Sequence, residues 1–549
     1  MPAVRLGSCG GRHDHVLLPV GFRRSGDTFE FPVGGVECAA VRARDLAIRG
    51  QRRPGGGGST RGNRFARSRP AVAGAGMADL VRPGSLGRMT ITSPLAADER
   101  DVLLSGWGRT APSGARLVAP RSAEDVRETI GAAGPRGVLA RGLGRSYGDA
   151  AQSGGATVFD MTNLHSFDLD LTAGTVTADA GASVDELLRS IVPAGFFVPV
   201  TAGTRFVTVG GAIAADIHGK NHHVEGSFGA HVTSMRVVDG QGEILDLRPD
   251  DPATSDMFWA TVGGMGLTGV IVEATFRLLA IETAQMSVDT VRCRDLDEVM
   301  TRMIEGDDDY RYSVAWIDSV ATSGRGVVTR GDHARIDQLP TGKKSASKAA
   351  PLAYDTTSLP SAPAFVPGGL LNTATVRAFN EAWFRKAPKN KQAELHSIPA
   401  FFHPLDGVKD WNRIYGPQGF LQYQFVVPDA AGWLVERTLS RLRDIGAPSF
   451  LTVLKRFGPA NPGPLSFPQP GWTLAADVPA ANERLGPVLD ELDELVAEEG
   501  GCLYLAKDSR QSPAMLAQTY PRLGEWQAIR DRMDPRSVFT SDLGRRLSL

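Results

Sequence analysis

Two glycine-rich stretches, each behind a predicted strand, limit what this chain can fold into. The first, ARGLGRSYGDA (140–150), places Gly142, Gly144 and Gly148 within seven residues. The second, TVGGAIAADIHGKNHH (208–223), sets Gly210 and Gly211 ahead of a run of small residues and three histidines. Glycines let successive backbone N–H groups turn toward an anion with no Cβ in the way. The first spacing, G-x-G-x-x-x-G with no helix behind it, is not a Rossmann fingerprint, and alone it reads equally as a plain glycine turn. The second can open a short helix whose free N–H groups and positive dipole end face a phosphate. Ala212, Ala214 and Ala215 let that helix lie flat against a bulky ligand. Together the stretches suit a pyrophosphate gripped from two sides.

The histidines have three readings. His218 and His222 share the i, i+4 spacing of a helical metal pair, but Gly219 interrupts the helix and no H-E-x-x-H or cysteine partner is near, so no metal is expected. His222 and His223 are expected to bond backbone carbonyls. His218 ends the segment that begins at the phosphate cradle, so it is expected near the ligand's reactive end.

A chain of 549 residues is too long for one ordinary core. Residues 1–95 carry fifteen Arg, six acids and no Lys, which leaves an acidic body and argues against a nucleic-acid partner. That stretch shows no sustained period and reads as a disordered or spurious N-terminal extension, with a basic arm as the other reading. No ordinary secretory signal and no membrane-length apolar run is visible, and four scattered cysteines make no disulfide framework. Helices are predicted at 122–134 and 183–195, strands at FFVPV, GVIVEATFRLLA and FLQYQFVV, and a DGQG hairpin after SMRVV. FLQYQFVV puts Gln422 and Gln424 on one face.

ARGLGRSYGD, TVGGAIAADIHGKNHH, FWATVGGMGLTGVI and LYLAKDSR, in this order, resemble the flavoprotein oxidoreductases of the vanillyl-alcohol-oxidase type. Within them the likeness is to the family that oxidises the ribose 2′-hydroxyl of decaprenylphosphoryl-β-D-ribose; GWGRTAPS, PLSFPQPGW and GFLQYQF extend it over about 103–549. The resemblance implies an α+β fold: a two-part FAD-binding domain of the vanillyl-alcohol-oxidase type with an inserted substrate domain on an antiparallel sheet. The expected boundaries are 96–284 for FAD, 285–500 for substrate with a mobile insert at 339–369, and 501–549 returning to the FAD domain.

For the cofactor, the resemblance implies that Ala140, Arg141, Gly142, Leu143, Gly144, Arg145, Ser146, Tyr147, Gly148, Asp149 and Ala150, with Thr208, Val209, Gly210 and Gly211, hold the FAD pyrophosphate. Gly203, Ala215, Asp216, Ile217 and His218 would line the cofactor, Ile271 would back it and Tyr504 would touch it. Many relatives attach the flavin through a histidine where this chain has Arg145, so the FAD is expected to be non-covalent. Lys507 matches the family's essential lysine and His218 its partner; either can take the hydroxyl proton.

Lys220, Arg413, Gln422, Gln424, Lys455 and Tyr147 correspond to the family's substrate-phosphate pocket, and Trp316 and Phe457 to its apolar walls. Phe402 stands where relatives often carry Tyr, and Ala475 where several carry Cys, which predicts insensitivity to inhibitors that need a thiol. The resemblance further implies an NADH-dependent reductase partner that completes epimerisation to the arabinose donor of cell-wall arabinan. It also implies a peripheral membrane location on the envelope side. RAFNEAWFRKAPKNK (377–391), with Phe379, Trp383, Phe384 and five cations, reads as a membrane contact or as a surface helix. The other readings are a sugar or aldonolactone oxidase using a soluble substrate and oxygen, and a flavin-free scaffold.

Overall fold

The computed structural model describes residues 99–340 and 350–549, apart from Thr357 and Ala364. The predicted N-terminal extension and residues 341–349 of the predicted insert lie outside the described residues. The described residues belong to one compact unit.

The first sheet contains β1 (Glu99–Leu104), β2 (Ser113–Val118), β3 (Val138–Arg141) and β4 (Thr157–Asp160) in the order β1-β2-β4-β3. β2, β4 and β3 run parallel and β1 antiparallel. The crossover from β2 to β3 is α1 (Ala123–Gly131), started by Ser122, whose hydroxyl accepts from the Asp125 amide. Its Val126 and Ile130, fully buried, seat it on the core.

The next strands are β5 (Phe167–Asp170), β6 (Thr175–Asp179), β7 (Phe196–Phe197), β8 (Val232–Val238), β9 (Ile244–Leu247), β10 (Val270–Arg277) and β11 (Leu279–Ala280). Five make an antiparallel sheet, β5-β6-β10-β8-β9, and β7 pairs with β11 in a two-stranded sheet. α2 (Val184–Ile191) opens on a full capping box between Ser183 and Glu186. The FFVPV segment pairs over two residues rather than five, because Pro199 offers no N–H to a ladder.

The third sheet has eight strands: β12 (Gln285–Cys293), β13 (Tyr312–Ile317), β14 (Gly326–His333), β15 (Asn390–Ser397), β16 (Phe420–Val427), β17 (Thr452–Phe457), β18 (Gly471–Pro479) and β19 (Cys502–Leu503). Their order is β15-β12-β14-β13-β17-β18-β16-β19, antiparallel throughout. One face packs on the helices Leu296–Gly306, Trp433–Asp444 and Leu485–Glu498 through a core that includes Ala315, Leu434 and Leu492. The other face is turned to a cavity. The α+β architecture with an antiparallel third sheet is as expected.

Described residues on the C-terminal side of the predicted insert make backbone hydrogen bonds to distant segments. The Ala284 amide donates to Pro351, the Leu359 amide to Gly407 and the Ala362 amide to Lys409, at 2.7–2.8 Å. Arg205, buried, reaches Ser358 and the Thr356 carbonyl.

Candidate active site

Three chain segments meet at one point. Loop 140–150 leaves β3, and its Gly142 lies so close to Thr208 that an added Cβ would sit 2.2 Å from the threonine hydroxyl. Gly144 takes the left-handed conformation (φ +63°) that lets the loop reverse. Thr208 caps α3 (Val209–Ala214) by accepting from the Gly211 amide. The third segment follows β19, whose pairing with β16 delivers Tyr504 to Lys507: the Tyr504 amide donates to Gln424 and the Tyr147 amide to Ala506. The Gly148 position is closed as well, since an added Cβ would lie 1.8 Å from the Asp508 carbonyl oxygen.

A cavity of about 750 Å³ runs from these glycines across the open face of the third sheet, within the range that buries a sizeable ligand. Ala140 to Tyr147, Ala150, Gly203, Thr208, Gly210, Gly211, Ala215, Ile217, His218, Ile271 and Tyr504 border it, as do Lys220, Trp316, Phe402, Gln422, Gln424, Lys455, Ala475 and Lys507.

His218 is the centre of a hydrogen-bonded set. Lys455 Nζ lies 2.8 Å from its Nδ1 and the Gln424 amide 3.0 Å from its Nε2. A neutral imidazole has a single N–H, so the ring accepts from one of these two neighbours and donates to the other. Burial, with Lys455 close by, holds the imidazole neutral, well below its ordinary value. Burial lowers Lys220 to about 7, and lowers Lys455 to about 7 with help from Lys220 and Lys507. Lys507 Nζ lies 3.6 Å from the centre of the Tyr147 ring. Burial lowers it to about 7 against the opposing pull of Asp477.

An FAD-binding-domain family model matches residues 114–248, a span that contains both glycine stretches. The decaprenylphosphoryl-beta-D-ribose oxidase of Mycolicibacterium smegmatis is 46% identical over 461 residues, covering 81% of this chain and 97% of that protein. The chain belongs to the decaprenylphosphoryl-β-D-ribose oxidase family. An uncharacterized protein in the mprA 5′ region of Streptomyces coelicolor is 36% identical over 378 residues, 67% of this chain and 100% of that protein. An L-gulono-1,4-lactone dehydrogenase of Mycobacterium tuberculosis is 24% identical over 457 residues, 81% of this chain and 98% of that protein.

The FAD of a decaprenylphosphoryl-β-D-ribose oxidase fits what the cradle offers. Glycine backbone borders the cavity at Gly142, Gly144, Gly210 and Gly211, and Arg145 holds a buried Nε with no partner. The Arg145 guanidinium lies 3.8 Å over the Trp107 ring.

Several residues that the family resemblance placed in the site do not border the cavity. Gly148 packs on Asp508, and Asp149 pairs with Arg546 at 2.7 Å. Val209 is buried in the core, and Asp216, fully buried at φ +40°, accepts from the Gly229 amide and the Asn461 and Ser466 side chains. Arg413 does not border the cavity; it pairs with Asp410 (3.1 Å) and donates to the Ala362 carbonyl. Phe457 lies behind the wall, against the rings of His218 (4.8 Å) and His222 (4.4 Å). His223 meets the carbonyls of Asp307 and Tyr310 as expected, whereas His222 accepts from the Gly458 amide instead. The aromatic residues of 377–391 turn inward: Phe379 and Trp383 border the cavity, and Phe384 lies under Arg325 at 4.3 Å.

Two residues of the site escaped sequence reasoning. Asp477, fully buried on β18 opposite Gln422, accepts from that glutamine's amide and has its second oxygen unpaired. Burial raises its carboxyl to about 7. Strand alternation from Ala475 offered the signal. Arg546 bridges Asp149 of the first glycine loop and Asp508, the neighbour of Lys507. Nothing in its local sequence marks it.

Proposed function

We propose that this chain oxidises the 2′-hydroxyl of decaprenylphosphoryl-β-D-ribose to the 2′-keto sugar, using FAD held without a covalent bond. The observation that carries the reading is the meeting of Lys220, Lys455 and Lys507 around a neutral His218, at one end of a cavity that starts in a glycine-built cradle. The activity in the name of the Mycolicibacterium relative, matched over nearly its whole length, supports it. Residues 96–284 and 501–549 form the cofactor side and 285–500 the substrate side.

Bound in the cradle, FAD supplies the acceptor for the hydrogen lost from C2′. The bordering residues of 140–150 and of Thr208–Gly211 hold its pyrophosphate, and Tyr504 and Ile271 flank it. Arg145, engaged with Trp107 and always protonated, offers no nucleophilic nitrogen for attachment.

Lys507 takes the hydroxyl proton. Lowered to about 7, a large part of it is the free amine near neutrality, where a solvated lysine is not. His218 is too weak a base for that role; with Lys455 on one ring nitrogen and Gln424 on the other, it holds these two side chains in place beside the reacting alcohol. Lys220 and Lys455 with Gln422, Gln424 and Tyr147 receive the phosphate, whose charge restores the ammonium form of both lysines. Trp316, Phe402 and Ala475 complete the wall.

The keto product is passed to an NADH-dependent reductase that completes epimerisation to the arabinose donor of cell-wall arabinan. The prenyl tail comes from a membrane, which makes the protein a peripheral membrane enzyme of the cell envelope. Among the described residues no helix is long and apolar enough to cross a membrane.

Purified protein is expected to show flavin absorbance that farnesylphosphoryl ribose bleaches anaerobically, with a dye carrying the electrons on during turnover. Free aldonolactones are expected to leave the flavin oxidised; bleaching by lactones alone would refute the substrate.

A further inference from the structure

Beyond the glycine cradle the cavity has two unlike parts. The lysines and His218 crowd one of them. The other runs over β13, β14, β12 and β15, three strand spacings or about 15 Å. Alternation puts Val314 of β13, Val327 and Thr329 of β14 and Thr290 of β12 on this face, while Ala315 and Val328 point into the helix-covered core. Phe379 and Trp383 of the helix Thr373–Lys386 close the arm.

At the open edge, beside β15, the charged groups satisfy one another: Glu394 pairs with Lys391 and lies 3.4 Å from His396. A sugar in this arm would find two threonine hydroxyls among valine and aromatic carbon, too few to replace the water its own hydroxyls give up. A hydrocarbon chain loses no hydrogen bond there and gains burial along its length.

We propose that this arm is the berth of the proximal isoprene units of the lipid tail, and that the tail leaves the protein over the β15 edge. The proposal rests on the substrate reading above and adds a lipid subsite and a selection for chain length.

The test uses full-length, flavin-loaded protein and ribosyl phosphates carrying one or three isoprene units. The longer substrate is expected to have a kcat/KM at least roughly tenfold higher. Thr329→Trp, and independently Thr290→Trp on a neighbouring strand, are expected to bring that ratio to within about twofold by filling the arm. A wild type indifferent to chain length, or a ratio unmoved in both variants, overturns the proposal.

A binding arm separates this failure from failure of the substrate reading. Farnesyl phosphate, which lacks the ribose, is expected to quench tryptophan fluorescence saturably through Trp316 and Trp383 at the cavity wall. If neither ribosyl phosphate turns over, the substrate reading falls; saturable quenching then still supports an isoprenoid berth, and absence of quenching overturns it.

Discussion

On the cofactor side, the cavity is walled largely by backbone: Gly142, Gly144, Gly210 and Gly211 border it, and where a Cβ is added at Gly142 it meets Thr208. On the sheet side it is walled by side chains that alternate along strands, with Lys455 on β17, Ala475 on β18 and the two glutamines on β16. A backbone wall binds any diphosphate that fits and tolerates little substitution. A side-chain wall can change its ligand one residue at a time, which is how a family can share an FAD cradle and differ in substrate.

Lys507 joins the two sides, and its removal should produce the largest effect. Lys507→Ala is expected to keep bound flavin and lose roughly 10²–10⁴-fold in kcat, the usual worth of a general base. Stopped-flow reduction of the flavin by substrate measures the step directly. Normal reduction would take Lys507 out of the mechanism.

Arg546 tests how firmly the cofactor side depends on the chain's last helix. Its guanidinium satisfies Asp149 and Asp508 together, and its side chain is 23% exposed. Arg546→Met leaves Asp149 without its ion pair and Asp508 with only the Arg510 and Gln511 amides on one oxygen, at a cost on the order of 3 kcal/mol. Flavin release is expected at lower urea than in the wild type, because Asp149 belongs to the glycine loop. Coincident flavin release and unfolding at the wild-type midpoint would show that the clamp carries no load.

The same contrast explains what the sequence made legible. Glycine stretches are visible one residue at a time, because a positive φ such as that of Gly144 or a backbone contact such as that of Gly148 admits little else. Strand alternation placed Gln422 and Gln424 correctly, and β16 spans the FLQYQFVV run residue for residue. Capping boxes and N-caps fixed the starts of α1 and α2.

Partners distant in sequence were not legible. Arg413 is drawn off by Asp410 and Ala362, and Arg546 reaches Asp149 across nearly four hundred residues. The lysines at 220, 455 and 507 come from three separate elements, and only likeness to a family brought them together before the fold did. The inward turn of Phe379 and Trp383 likewise depends on a cavity that no local pattern announces.

Asp477 sharpens the comparison within the sheet side. Its charge raises Lys507 against the lowering by burial. Removing the charge therefore lowers Lys507 further, and a rate that needs the free amine keeps its plateau to a more acidic pH. Asp477→Asn, whose amide oxygen can still accept from Gln422, is expected to move the acid limb of kcat downward by up to about one unit. The shift is bounded because the carboxyl, itself pushed up to about 7, is only partly ionised near neutrality. A pH profile of kcat at unchanged flavin content checks it; an upward shift would reverse the assignment.

Ala475 gives the smallest expected effect on turnover and the clearest chemical label. It sits on β18 opposite Gln424 and Val453, with its Cβ toward the cavity and Lys455 nearby. Ala475→Cys adds one sulfur to a side-chain wall and should leave kcat/KM within about twofold. The new thiol stands near Lys455, whose ammonium fraction favours the reactive thiolate and whose free amine can take the thiol proton. Burial, by contrast, pushes the Cys293 thiol up to about 11 and the Cys502 thiol higher still, so neither competes. Maleimide treatment followed by mass mapping should find the introduced thiol modified quickly, with loss of activity, in addition to whatever label Cys9 and Cys38 take in both chains, while Cys293 and Cys502 stay free and wild-type activity survives. Equal labelling of the two chains would mean that residue 475 does not face the cavity, and the sheet side would have to be redrawn from β18 outward.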